Sequence, residues 1–378
     1  MPKQIKVALV HHWLVSPGGA EKVLFELHQM WPKAPIFTAA YTPEKFPELR
    51  TADVRTTWLN KVPLAKTKHQ LFPVLRGLSF RMLDLSSYDL VISSCAAEAK
   101  YVKTGPNTLH ICYCHTPIRY YWSDYEWYLA HPPFGALNPV AKLALPLMIG
   151  RLRKLDYEEA QTVDVYLANS KTVQDRIKKY YHRDSTIIYP PIDTDPLTKL
   201  QRSHKDYYLM VGRQVAYKRL DLAVDAFNAL GLKLKVVGEG EEISRQQPRA
   251  KSNIEFTGWL SDRERNKLFA GARAFIWPQE EDFGITAVEA MAAGCPVIAF
   301  NKGGAREYVT EGVTGALFDQ QTPAALVEAI RRFEVMSLDE SAIRNRALEF
   351  DSRVFRSKLA DFVNREWKKF EQKKSPER

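Results

Sequence analysis

Cysteine is scarce, with four in 378 residues. That is too few for a disulfide framework, so the small secreted scaffolds that depend on one are excluded and a reducing compartment is expected. Long apolar runs are missing too. Ile5–Val10 is short for a secretory leader and runs into His11 and His12 rather than a small-residue cleavage site. Val140–Gly150 contains Lys142 and Pro146 and falls short of the ~20 residues needed to cross a bilayer. The expected location is cytoplasmic. There is no repeat, no low-complexity tract, no nucleic-acid-binding motif and no Gly-x-Gly-x-x-Gly fingerprint of a dinucleotide site. Acidic residues are outnumbered: 54 Lys and Arg against 44 Asp and Glu leave a net charge of +10. Such an excess attracts nucleic acid, an acidic membrane face or a phosphate-bearing substrate, or is simply a basic surface.

What is present is an ordinary globular composition, 45% hydrophobic and 26% charged, in a chain long enough for two cores. Short apolar runs alternate with helical patterns, the mark of an α/β fold with parallel sheets. Strands are expected at Lys6–Val10, Pro35–Thr38, Asp89–Ser93, Leu109–Cys114, Val163–Ala168 and Thr186–Tyr189. After the linker-like Pro190-Pro191-Ile192-Asp193, they resume at Tyr207–Val211, Leu234–Val237, Ile254–Phe256, Ala274–Trp277 and Val297–Phe300. The expected domains are 1–193 and 194–351, with a charged helix from Ser352 onward. Ser261-Asp-Arg-Glu264 reads as a capping box, and Thr322-Pro323 as a helix start. Two doubly wound domains would bind ligands at the carboxyl ends of their strands, facing one another across a cleft.

Three motifs fall at such ends. Pro278–Pro296 runs from a strand through a glycine turn into a small-residue helix that Gly294 and Pro296 stop. The helix start favours an anion. Glu281 and Glu289 would repel that anion on contact, so they suit neutral hydroxyls beside it. Phosphate next to hydroxyls describes a nucleotide sugar. Arg213 and Lys218, on the loop after Val211-Gly212, form either a diphosphate clamp or a solvated basic loop. A leaving nucleoside diphosphate gains charge as its bond breaks, and fixed cations would stabilise it. The first loop, Ser16-Pro-Gly-Gly-Ala-Glu21, would let backbone approach an anion, although a plain tight turn looks similar. Cys112-x-Cys114-His115 lacks a second ligand pair, and no Asp-x-Asp pair lies at the cleft, so no metal is expected.

These residues carry a resemblance. Gly212-Arg213…Lys218, Gly238-Glu-Gly240, Phe256-Thr-Gly258, Glu281-Asp-Phe-Gly-Ile-Thr-Ala-Val-Glu289 and Gly303-Gly304…Glu307 follow one another as in retaining glycosyltransferase family 4. Asn169-Ser170 and Tyr189-Pro-Pro-Ile-Asp193 resemble the same family across the domain junction. Cys114-His115-Thr116-Pro117-Ile-Arg119-Tyr-Tyr-Trp122 is similar to a mannosyltransferase-like branch.

The resemblance implies the GT-B fold: two Rossmann-like domains, with the C-terminal helix crossing back onto the first. It implies that Gly212, Arg213 and Lys218 hold the donor diphosphate and that Glu281 binds donor-sugar hydroxyls. Phe283, Gly284, Ile285 and Thr286 would shape that pocket, and Glu289 would bind the ribose. Gly19 would lie near the diphosphate and the acceptor, and His115 near the transferred sugar. Arg213, Lys218, Glu281 and His115 are then the catalytic set. Retention through a covalent intermediate would need a carboxylate about 3 Å from the sugar carbon. The family instead implies reaction on one face, with the departing phosphate helping to remove the acceptor proton and Glu281 positioning the sugar. The implied donor is GDP-mannose, with UDP-glucose or UDP-N-acetylglucosamine as alternatives, or a non-catalytic nucleotide-sugar-binding protein. No cofactor is required.

The acceptor falls to the first domain. Gly18, Gly19, Arg119, Tyr120 and Trp122 are its candidate contacts; the aromatic loop around Trp122 would stack on an acceptor sugar or simply cover the cleft. Trp58–Met82 mixes cations with leucines and aromatics and contains no acid. It suits an anionic membrane surface and a lipid-linked saccharide or phospholipid acceptor, or an ordinary helix packed on the sheet. Val140–Arg153 repeats the pattern more weakly.

Overall fold

The computed structural model describes residues 5–67, 72–131, 138–203 and 206–374. The chain forms two compact units. One runs to Tyr189 and resumes at Arg356; the other is Pro190–Phe355.

The first unit is built on β1 (Val7–His11), β2 (Ile36–Thr38), β3 (Val54–Thr56), β4 (Leu90–Cys95), β5 (Leu109–Cys114), β6 (Val165–Ala168) and β7 (Ser185–Ile187). Their spatial order is β3-β2-β1-β4-β5-β6-β7, and every pairing is parallel. β1, β4 and β5 are buried along their whole lengths, as apolar strands are when both faces of a parallel sheet are covered. Val10, Val91 and Cys112 pack with Phe80, Tyr101 and Tyr181. The C-terminal helix, Ser352–Lys374, returns to this unit: Arg356 pairs with Glu26, and Lys374 Nζ donates to the Asn107 carbonyl at 2.9 Å.

The second unit holds β8 (Tyr208–Val211), β9 (Leu234–Val237), β10 (Ile254–Gly258), β11 (Phe275–Trp277), β12 (Val297–Phe300) and β13 (Gly315–Phe318), in the order β10-β9-β8-β11-β12-β13. Its pairings are also parallel. The capping box forms, with Glu264 accepting from Ser261 N–H at 3.0 Å, and Thr322 accepts from Ala325 N–H. Residues 190–193 join this unit because Ile192 N–H donates to Phe350 O and Ser352 N–H to Ile192 O, both at 2.9 Å.

In each sheet the strand order reverses once, between β1 and β4 and between β8 and β11. A crevice opens outside the carboxyl ends of strands at such a reversal, and ligands of doubly wound sheets bind there. Among the described residues, no helix is long and apolar enough to cross a membrane.

Candidate functional site

In the second unit, the reversal point is lined by the loops that follow β8 and β11. β8 is followed by Gly212, whose φ of +144° suits glycine, and a short turn, Ala216–Lys218, brings Lys218 back toward it. Lys218 forms an ion pair with Glu281 from the loop after β11, and its Nζ stands 4.8 Å from the centroid of the Trp277 ring. The two side chains are only 12% and 18% exposed, so their attraction is weakly screened. Arg213, by contrast, is exposed and makes no hydrogen bond or ion pair among the described residues.

Glycines let these loops touch. A methyl group on Gly238 or Gly240 would stand 2.1 Å from the carbonyl oxygen of Gly212 or Gln214. One on Gly303 would stand 2.2 Å from Glu281 O, and Gly304 N–H donates to that same oxygen at 2.8 Å. Gly284, at φ +101°, opens the eight-residue helix Ile285–Ala292, with Ile285 and Thr286 half-buried at its start. Phe283 is buried against Tyr308 and Phe350. Glu289 lies within the helix, 3.9 Å from the Arg265 guanidinium. Gln214 Oε1, Trp277 Nε1, Gln279 Oε1 and Tyr308 Oη are buried in these loops and their flanks without a hydrogen-bond partner among the described residues. Native proteins leave few such atoms, and a polar ligand would supply partners.

In the first unit, the reversal point gathers His11 at the end of β1, His12 beside it, Ser94 on β4 and His115 just after β5. Ser94 Oγ lies 2.8 Å from His115 Nε2 and 3.1 Å from His11 Nδ1. His11 Nε2 is 3.5 Å from Glu21 of the helix Gly19–Met30, which Gly18 precedes in extended conformation. Burial pushes His11 down to about 3; His12 is lowered by burial and by His11 beside it; burial raises Glu21. Donor atoms of His11, His12 and Glu21 lie within 4.8 Å of one another. Burial also pushes the Cys112 thiol up.

Two family models cover most of the chain: Glycosyltransferase Family 4 matches residues 17–196, and Glycosyl transferases group 1 matches 191–349. The chain belongs to glycosyltransferase family 4. O-antigen chain mannosyltransferase C of Escherichia coli is 30% identical over 220 residues, 54% of this chain and 57% of that one. Alpha-1,3/1,6-mannosyltransferase ALG2 of Rhizomucor pusillus is 24% identical across 88% of this chain and 84% of its own. The fold is that of Anabaena HepE, solved with UDP-glucose: TM-score 0.69 and 20% identity, covering 96% of this chain and all of that one. Sucrose-phosphate synthase from Thermosynechococcus elongatus gives 0.66 at 16% identity, covering 96% and 99%. The GT-B fold expected from the sequence is therefore the observed one.

In this family 4 glycosyltransferase, the candidate acceptor residues divide. Arg119 is partly exposed, 3.7 Å from Asp124. Tyr120 and Trp122, the aromatic candidates for acceptor contact, have their polar ends anchored within the unit. The Tyr120 hydroxyl donates to Glu98 at 2.9 Å, and the Trp122 indole N–H donates to Asp156 at 2.6 Å while its ring stacks on Tyr180. Arg76, one of the cations expected to face lipid, is buried against Glu98. Residues 68–71 of the Trp58–Met82 segment lie outside the described residues, as do 132–137 before the Val140–Arg153 stretch. Sequence reasoning missed His11, His12, Ser94, Gln214, Gln279 and Tyr308. The His11-His12 pair closing an apolar run was a usable signal, and Glu21 stood inside a loop already singled out.

Proposed function

We propose that this chain is a retaining hexosyltransferase that moves mannose from GDP-mannose to a lipid-linked saccharide or phospholipid at the cytoplasmic face of the membrane. The observation that carries the donor half is the Lys218–Glu281 pair at the β8/β11 reversal, beside a helix start. Cation, carboxylate and unpaired amides together suit a phosphate flanked by hydroxyls. Arg213 supplies a second, exposed cation. On donor binding, Lys218 turns from Glu281 to the diphosphate, and Glu281 turns to sugar hydroxyls as a positioning group. Glu289 serves the ribose. The departing phosphate, steadied by Arg213 and Lys218, takes the acceptor proton, and His115 of the first unit hydrogen-bonds the transferred sugar. The mannosyltransferases among the relatives favour mannose. A UDP-sugar donor is the second reading, favoured by the fold's likeness to a protein solved with UDP-glucose.

Thermal melting with GDP, GDP-mannose, UDP, UDP-glucose and UDP-N-acetylglucosamine tests the donor. A ligand at a hundred times its Kd stabilises by about 2.7 kcal/mol. GDP and GDP-mannose are expected to raise the melting temperature. A shift with the UDP series alone selects the second reading, and no shift with any nucleotide sinks both.

The membrane part rests on the helix Pro73–Arg81. Its buried residues are Arg76, Gly77, Ser79 and Phe80, while Val74, Leu78 and nearby Met82 stand exposed at four-residue spacing. An apolar stripe therefore faces solvent on this helix, opposite the face that packs on the core. Exposed Lys61, Lys66 and Arg81 flank the apolar stripe, and Leu143 and Leu147 are exposed on a second helix, Asn138–Gln161. Co-flotation with phosphatidylglycerol vesicles is expected to exceed that with phosphatidylcholine alone and to fall with Lys61→Glu and Lys66→Glu. Equal recovery on both vesicles, unchanged by these substitutions, would remove the membrane from the reading.

A further inference from the structure

Behind His115, the first unit holds a buried polar row, Ser94, His11 and Glu21, with no role assigned so far. Ser94 Oγ bonds His11 Nδ1 (3.1 Å) and His115 Nε2 (2.8 Å), and the Glu21 carboxyl stands 3.5 Å from His11 Nε2, an electrostatic contact rather than a hydrogen bond. His11 and Ser94 are fully buried, Glu21 and His115 nearly so. Four separate elements supply these groups at one strand-order reversal, and among the described residues Ser94 Oγ has no partner but the two rings.

Ser94 has a single hydroxyl proton, which only one of the two rings can receive; the other ring donates to the same oxygen. A neutral imidazole with a bare Nδ1 carries its proton on Nε2, and the reverse. The consequences run along the row. If Glu21 is a carboxylate, its charge 3.5 Å away favours the proton on His11 Nε2 and leaves Nδ1 bare. Ser94 then donates to His11 and accepts from His115, so His115 carries its proton on Nε2. If Glu21 presents a donor, every one of these bonds reverses and the His115 proton sits on Nδ1. We propose that Glu21 is a positioning residue which, through His11 and Ser94, sets the tautomer in which His115 meets the transferred sugar.

Glu21 also has a plainly structural task. It stands at the third helical position, and its carboxylate accepts from the N–H of Gly18, the residue before the helix, as in half of a capping box. Capping concerns the backbone and leaves His115 untouched, so the two roles separate experimentally. The groups facing Glu21 are His11, His12 and His115, and the row passes through two of them.

The test is the ring-nitrogen NMR pattern of His115 in the ligand-free chain labelled with 15N-histidine, read for wild type, Glu21→Gln, Ser94→Ala and the double variant, each checked for folding by its melting curve. Wild type is expected to show one dominant tautomer. Glu21→Gln, whose amide can either donate to or accept from His11, is expected to give a mixture. Ser94→Ala is expected to change the His115 pattern and make it insensitive to position 21. An identical His115 pattern in all four proteins overturns the proposal, as does a response to Glu21→Gln that persists in the Ser94→Ala background. If Glu21→Gln does not fold, His11→Gln interrupts the same row and is read in the same way.

The proposal rests on the assignment of His115 to sugar transfer, and a second readout keeps the two apart. With GDP-mannose as donor, Glu21→Gln is expected to lower kcat by about tenfold with little change in KM. Ser94→Ala and the double variant are expected to fall equally, since groups on one row are not additive. If the tautomer follows Glu21 but His115→Ala transfers sugar at the wild-type rate, the row stands and the catalytic assignment of His115 falls.

Discussion

Lys218→Met is expected to lower kcat/KM for sugar transfer by roughly 10²–10³-fold, the usual cost of losing one fixed group that stabilises developing charge. The expectation rests on more than a lost cation. Lys218 neutralises Glu281 in the ligand-free chain, with both side chains largely screened from water. Methionine keeps the length and apolar stem of the side chain against Trp277 but leaves the Glu281 carboxylate without its counter-charge, beside the place where a diphosphate must settle. Binding of the donor and stabilisation of the leaving group are then lost together, so KM should rise as kcat falls. Glu281→Gln separates the two. It frees Lys218 from its partner, so affinity for free GDP should hold or tighten while transfer drops. Steady-state kinetics and calorimetric GDP titration on both variants and their combination check this. An unchanged kcat/KM in Lys218→Met, or GDP affinity lost in Glu281→Gln, would remove the pair from the donor site.

That pair also marks the boundary of what could be read in the sequence. Both members were legible as candidates, because each stands in a motif at a strand end. Their contact was not, since it joins positions on two different loops that only the β8/β11 adjacency brings together. The same holds for the glycines. Gly303-Gly304 looked like a motif, and the reason for it is the carbonyl of Glu281 and the backbone of Phe283 pressing where side chains would begin. Strands with buried apolar runs were found to within a residue or two at most ends. β3 and β13 were not. Val54-Arg55-Thr56 is a largely exposed edge strand with no apolar run to see. Gly315-Ala316-Leu317-Phe318 opens with a glycine, which reads as a turn, but it is there because a methyl group would stand 1.8 Å from Val297 O. Tyr120 and Trp122 show the same limit: the aromatic-rich loop was legible, but its anchors, Glu98 and Asp156, lie far along the chain.

Arg76→Met is expected to destabilise the first unit by about 3–5 kcal/mol, the cost of breaking a buried ion pair from one side. Arg76 donates to both oxygens of Glu98, at 2.8 and 2.9 Å, and both side chains are at most 2% exposed. The Tyr120 hydroxyl closes the triad, and the guanidinium lies 4.9 Å from the centroid of the Trp13 ring. Methionine would leave the Glu98 carboxylate buried with only a phenol for company. Pairing it with Glu98→Leu should recover most of the loss, because an apolar pair of similar volume avoids the desolvation that the ions suffer. Single surface substitutions such as Lys66→Glu should shift stability by no more than about 0.5 kcal/mol. Denaturant unfolding, followed by a probe in the first unit, measures all three against wild type. The comparison bears on function, because this triad is what turns the polar side of the helix Pro73–Arg81 inward and leaves Val74 and Leu78 exposed. If Arg76→Met/Glu98→Leu restores stability and keeps vesicle binding, the apolar face needs only the helix held in place. If stability returns without vesicle binding, the ionic triad fixes the helix in the one orientation a membrane can use.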